Sequence, residues 1–167
     1  MSKEQFLEFS AVLTGFSRLD LLGTGMLDLY HGALTEIVGE SICGELWAEF
    51  EKLRQKCGSA LDEVEAAVEK HILPDEKLGP VAKTIVQMWY LGQWSQLPPE
   101  WREKYGTNPS DFNHVISPAS YVEGLVWRAA GVHPQGAKQP GFGTWSAPPV
   151  QIAAPETGKA AMAAEED

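Results

Sequence analysis

Asp28 and His31 are the two side chains whose types and spacing come nearest to acid–base chemistry. Three residues apart on a helix, they share a face. A carboxylate beside an imidazole can orient it as a general base. The same pair can also satisfy its own hydrogen bonds in a core. No nucleophile or ligand set accompanies it nearby in sequence, so a structural role carries more weight than catalysis. Gly23-Thr24-Gly25 has the look of a phosphate loop, but that fingerprint requires a preceding strand and a longer glycine pattern. A helix start or close helix packing is the expectation there. His71, His114 and His133 are scattered, with none of the spacings that bind zinc or haem. Cys43 and Cys57 match no metal or redox spacing, and on one helix they would lie roughly 21 Å apart, too far for a disulfide. Asp62, Glu63 and Glu65 form a solvated helix face, whereas a glycosidase needs two carboxylates across a cleft. The sequence therefore predicts no catalytic, metal-binding or cofactor-binding residue in this chain.

The strong signal is aromatic. Five of the six tryptophans fall between residues 85 and 149. Large rings supply apolar contact area with few torsions to freeze, and they anchor interfaces. Trp89, Tyr90, Trp94, Trp101, Tyr121, Trp127, Phe142 and Trp145 are the expected partner-binding set. Core filling is an equal expectation for Trp89 and Trp127. Phe142 and Trp145 sit where 19 residues, 131–149, hold four Gly and four Pro. That composition excludes helix and paired strand, and a stretch with little core of its own would shelter its rings against another chain.

The elements that must position these residues read as an all-α fold, an irregular bundle of about five to six helices with an extended Gly/Pro/aromatic C-terminal arm. Ser2 and Gln5 form a capping box ahead of a first helix carrying Phe6, Phe9, Leu13 and Phe16, which should stop near Gly15 to Ser17. A second helix over about 21–38 carries two adjacent apolar stripes, Leu22, Met26, Leu29, Ala33, Ile37 and Leu27, Tyr30, Leu34, Val38. It should be the buried centre of the domain. Ile42, Leu46, Phe50, Leu53 and Cys57 define the clearest helix, ended by Gly58. Ser59 is positioned to cap a fourth over about 60–73. A fifth spans about 80–91 and stops at Gly92. Regularity then falls, with one short turn at 99–105, until Ser117-Pro118 opens a last helix to about 130. No β-strand is predicted. The domain reading is 1–130 helical, 131–150 a docking arm, and 151–167 a disordered acidic tail.

The chain has 167 residues and a formal net charge of −10. Such a balance disfavours nucleic acid and anionic lipid, both of which attract basic patches. No run of about 18 apolar residues predicts a membrane span. The N-terminal MSKEQFLEF shows neither a hydrophobic signal core nor a twin-arginine motif, so taken literally the chain starts in the cytoplasm.

The segments FSAVLTGFSRLDLLGTGMLDLY, IVQMWYLGQW, HVISPASYVEGLVW and HPQGAKQPGFGTW resemble the small subunit of membrane-bound, FAD-containing D-sorbitol dehydrogenases. The fructose dehydrogenase small subunit and the gamma subunit of bacterial FAD glucose dehydrogenase are similar more loosely, chiefly around Trp89-Tyr90-Leu91-Gly92. The likeness covers most of 6–149, and its specific parts are residues 87–94 and the PGFG-type arm. It implies an accessory chain without a redox centre, with FAD in a large partner of the glucose–methanol–choline type and a cytochrome c subunit often beyond it. It places such a complex at the periplasmic face of the inner membrane. No catalytic residue carries over; Trp89 to Trp94 and Gly141 to Trp145 are implied to serve the fold and its docking surface. This chain departs from the family in showing no export signal. A dedicated chaperone or export escort that leaves the mature complex is the alternative, and a small enzyme using Asp28 and His31 is the less favoured one.

Overall fold

The computed structural model describes residues 1–58, 60–134 and 137. Among them, nine helices and one short strand pair follow in order: α1 (Lys3–Thr14), α2 (Arg18–Gly23), α3 (Leu27–Val38), α4 (Glu40–Cys57), α5 (Leu61–His71), α6 (Leu78–Leu91), β1 (Gln93–Trp94), α7 (Pro99–Tyr105), β2 (His114–Val115), α8 (Pro118–Val122) and α9 (Leu125–Ala129). The fold is an all-α irregular bundle. Its body is made by α1, α3, α4, α5 and α6, each of eleven residues or more.

Local chemistry sets most helix ends. The Ser2 hydroxyl accepts from the Gln5 backbone N–H, and the Gln5 side chain accepts from Ser2 N–H at 2.7 Å, completing the capping box. Gly15 closes α1 in the left-handed conformation. Ser17 and Asp20 repeat the box at α2, and Ser117 and Ser120 at α8. Asp75 is the effective cap of α6, its carboxylate accepting from Lys77 N at 2.9 Å and Leu78 N at 2.7 Å. The N-cap of α5 is Ala60, with no side-chain capping bond, and Ser59 lies outside the described residues.

Three expectations are corrected. The helix expected over 21–38 is two helices. Thr24 folds its hydroxyl back onto the Leu21 carbonyl at 2.7 Å and accepts from Met26 N at 3.1 Å, offering the backbone a turn in place of another helical bond. Nor is that segment the buried centre. Tyr30, Leu34 and Val38 face inward, but Leu22 and Leu29 remain 48% and 39% exposed. The central position belongs to α6 with α1. Helix α6 packs against α1, α3, α4, α8 and α9 and against β1. Its Val81, Ala82, Ile85 and Met88 are wholly buried. Side chains of this kind contribute roughly 1.5–3 kcal/mol each when fully buried, the small Ala82 less.

Second, the chain does form strand. Gln93 pairs with Val115 and Trp94 with His114, antiparallel. The pair is two residues long, below what an alternation pattern reveals. Third, the helix expected over 118–130 is broken into α8 and α9. The Trp127 indole N–H donates to the Tyr121 carbonyl at 2.7 Å, and Gly124, at ψ 130°, turns the backbone before α9 begins.

Candidate functional site

The aromatic set divides into inward and half-exposed rings. Trp89, on the last turn of α6, is 1% exposed; Trp94 is wholly buried and Trp101 is 5% exposed. A docking role for these three is corrected, because their rings are already covered by this chain. Trp89 stacks on Phe6, with centroids 6.1 Å apart, and meets the Tyr30 edge-on at 4.9 Å. Among the described residues the buried Trp89 Nε1 meets no hydrogen-bond acceptor, and the buried Tyr30 hydroxyl makes no well-aligned hydrogen bond. Tyr30 lies toward Ser120 and Glu123, and burial holds its phenol well above the ordinary tyrosine range, with Ser120 pulling the other way.

Trp94 and Trp101 clamp the irregular part of the chain. Trp94 Nε1 donates to Asp111 Oδ1 at 2.8 Å, and Leu97 N donates to the same oxygen at 3.1 Å. Arg102 Nε sits 3.2 Å from Asp111 Oδ2, out of line for a hydrogen bond, so that contact is a Coulombic pairing. The Asp111 side chain is 2% exposed. Trp101 Nε1 donates to the Lys77 carbonyl at 2.7 Å, tying α7 to the start of α6. Asp111 was missed in sequence. The only signal for it is indirect, since a buried indole N–H needs an acceptor and the 106–113 loop offers a carboxylate.

Gly92 explains why the Trp89-Tyr90-Leu91-Gly92 block is built as it is. At φ 67° it caps α6, and a Cβ there would sit 2.7 Å from Tyr121 N and closer still to the Ser120 carbonyl. The Gly92 carbonyl takes the Ser120 hydroxyl at 2.6 Å and Ile116 N at 3.1 Å. The block is a packing junction that docks α8 on the end of α6.

The half-exposed rings are Tyr90, Tyr121 and Trp127. The Tyr90 hydroxyl donates to the Thr14 carbonyl at 2.9 Å, and its ring meets Phe16 edge-on. Arg128 lies over Phe16 and pairs with Asp20 at 2.8 Å. The Asp20 carboxyl is held below the ordinary range, first by the Ser17 hydrogen bond and then by Arg128. Tyr121 and Trp127 meet at 5.3 Å. These rings line the end of α1 and the α8–α9 segment, immediately before residues 131–150. Phe142 and Trp145, and all of 138–167, lie outside the described residues. Further apolar surface is offered by Leu19 at 80%, Phe112 at 52% and Val115 at 53% exposure.

Asp28 and His31 are each engaged by the N-terminal segment. Asp28 pairs with Lys3 at 2.9 Å and is largely solvated. His31 donates through Nε2 to the Met1 carbonyl at 2.9 Å and lies edge-on to Phe6. The carbonyl can only accept, so that nitrogen bears the proton. Cys43 is buried, and burial pushes its thiol up to about 11; Cys57 is half-buried, and both are free. Among the described residues no group of three His, Cys, Asp or Glu side chains is arranged to hold a metal ion, and no helix is long and apolar enough to cross a membrane. No known protein family, curated protein or solved structure matches the chain.

Proposed function

We propose that this chain is a non-catalytic small, gamma-type subunit of a flavin-dependent polyol or sugar dehydrogenase complex, stabilising and maturing the FAD-containing large subunit. FAD belongs to that partner, a glucose–methanol–choline-type flavoprotein, with a cytochrome c subunit as a further member at the periplasmic face of the inner membrane. The observation that carries the reading is the resemblance of residues 87–94 and of the HPQGAKQPGFGTW arm to such small subunits. The half-exposed Tyr90, Tyr121 and Trp127 are compatible with it, since they stand where the arm begins. On this reading they and the arm residues Phe142 and Trp145 form the docking surface. The partner's contact with them should be apolar at its centre and exceed roughly 2,000 Å² in all, as obligate interfaces do.

The test is co-expression of a candidate large flavoprotein with and without this chain. The expected result is a large subunit that is less soluble and poorly flavinated when made alone, and a purified complex that retains both chains. Full flavination and activity without this chain would refute the proposal. A mature complex that lacks it would instead identify an escort. Removal of 132–149 should weaken association while far-ultraviolet circular dichroism stays that of a folded helical domain.

A further inference from the structure

Helix α2 turns an apolar face outward. Leu19 is 80% exposed and Leu22 is 48% exposed. Gly23 is exposed beside them, and a Cβ added there would meet nothing within 4 Å. Residues 19, 22 and 23 stand at i, i+3 and i+4, so they share one side of the helix. The side chain that Gly23 lacks leaves a notch next to the two leucines. Inward, the same helix is anchored by the wholly buried Leu21.

The chain leaves its last helix close to that face. Arg128, in the last turn of α9, pairs with Asp20 of α2 at 2.8 Å and lies 5.7 Å from the centre of the Phe16 ring. Gly131, at φ 65°, then turns the backbone, and Val132 N–H donates back to the Trp127 carbonyl at 2.9 Å. Pro134 is buried. Ala137 is half-buried and donates its N–H to the Pro134 carbonyl at 3.2 Å. The start of the arm thus lies against the body of the molecule instead of projecting from it. Residues 139–149 hold no charged side chain and two rings, Phe142 and Trp145. Measured from Ala137, these are up to roughly 17 and 27 Å of chain away, against roughly 10–12 Å for the width of a helix.

We infer that the outward face of α2 is the resting dock of this chain's own arm. Phe142 and Trp145 lie on Leu19 and Leu22, at the Gly23 notch, whenever no other protein holds them. An apolar face without cover and two rings without a core stand within reach of each other in one molecule, and their contact removes both from water. A short tether gives the arm an effective concentration on the order of millimolar, well above that of a second copy in dilute solution. A second copy would also bring another formal charge of −10 to the contact. The inference concerns the chain alone and does not rest on the function proposed above. On that function, the flavoprotein takes the rings from α2, and the dock keeps them out of water until the complex forms.

The experiment labels the six tryptophans of the full-length chain as 5-fluorotryptophan and follows their fluorine NMR lines with a soluble gadolinium chelate, which broadens exposed rings. The Trp145 line is the one lost in Trp145→Phe. Its broadening should be about fivefold weaker than in the urea-unfolded chain, the scale of burying part of one ring, and should not change on dilution. Leu19→Glu/Leu22→Glu should raise it to the unfolded level with far-ultraviolet circular dichroism unchanged, since both side chains are exposed. Gly23→Gln fills the notch from a position with no neighbour within 4 Å of its Cβ; it should do the same, and it carries the test if the double variant does not fold. A Trp145 line as broad in the parent as in urea would overturn the inference, as would protection that survives in a folded variant. So would protection that fades on dilution, which would make a second copy the occupant. No flavoprotein is present in this measurement, so its failure leaves the subunit role standing, and failure of the co-expression test leaves the dock standing.

Discussion

Gly92 and Gly15 are matched in backbone and opposed in surroundings, and replacing each by alanine isolates what the α6–α8 junction is worth. Their φ angles are 67° and 71°. An L-residue held in the left-handed region costs about 1–2 kcal/mol, partly offset by the lower entropy of the unfolded chain, about 0.4–1 kcal/mol. At Gly15 nothing lies within 4 Å of the added methyl, so that net penalty is the whole effect. At Gly92 the methyl would overlap the Ser120 carbonyl and press on Tyr121 N at 2.7 Å. Those atoms are backbone and cannot rotate away. Relief requires α8 to retreat, and the retreat breaks the Ser120 hydroxyl bond and the Ile116 N–H bond to the Gly92 carbonyl. Each such bond is worth about 1 kcal/mol net, and overpacking adds about 1–3 kcal/mol. Gly92→Ala should therefore cost about 3–6 kcal/mol and Gly15→Ala about 1 kcal/mol or less. Urea unfolding followed by circular dichroism reads both, with an unchanged m-value as the check that only stability moved. If Gly92→Ala is too damaged to purify, Ser120→Ala tests the same junction at about 1 kcal/mol. Costs for the two glycine variants that agree within about 1 kcal/mol would refute the reasoning, because the backbone conformation alone would then account for both.

Other perturbations read other parts of the molecule. Asp111→Ala removes the acceptor of Trp94 Nε1 and Leu97 N and leaves Arg102 without its pair; urea titration should show a loss of about 2–4 kcal/mol, and a loss under about 0.5 kcal/mol would mean that the carboxylate does not hold the loop. Iodoacetamide on the native protein at neutral pH should label Cys57 and spare Cys43, whose thiol is buried and pushed up to about 11; mass spectrometry showing equal labelling would contradict the burial. The Asp20 carboxyl is depressed below 3.8, so its stabilisation is present above that value and disappears as pH falls through the depressed one. Asp20→Asn should accordingly cost less than about 1 kcal/mol near neutral pH, and its stability should converge on that of the parent in acid; a gap that persists unchanged into acid would exclude the ionised carboxylate as its source.

The parts that sequence reveals are those where the deciding atoms lie within a few residues of each other. The capping box at Ser2, the N-cap at Ser117, the stop at Gly15, the α4 stripe from Ile42 to Cys57 and the acidic face of α5 are all of this kind. Each is set by bonds or burial repeating over one or two helical turns. The Thr24 turn is equally local, yet it was hidden, because a hydroxyl that bends back onto its own backbone leaves the apolar spacing of 21–38 intact. The two-residue strand pair was hidden for another reason, being too short to show any period.

For the site, sequence located the aromatic residues but not the direction of their rings. Trp94 and Trp101 occur among prolines and look like surface, and they are core because Asp111 and the Lys77 carbonyl, 17 and 24 residues away, accept their N–H groups. Tyr30 and Trp89 share one buried contact although 59 positions separate them. Composition and periodicity by themselves determined that this chain is a helical bundle and where most of its helices end. Which helix lies at the centre and which rings remain available to another molecule were decided only in three dimensions. Burial and electrostatic potential are sums over neighbours from distant parts of the chain, and no local pattern of residues contains those sums.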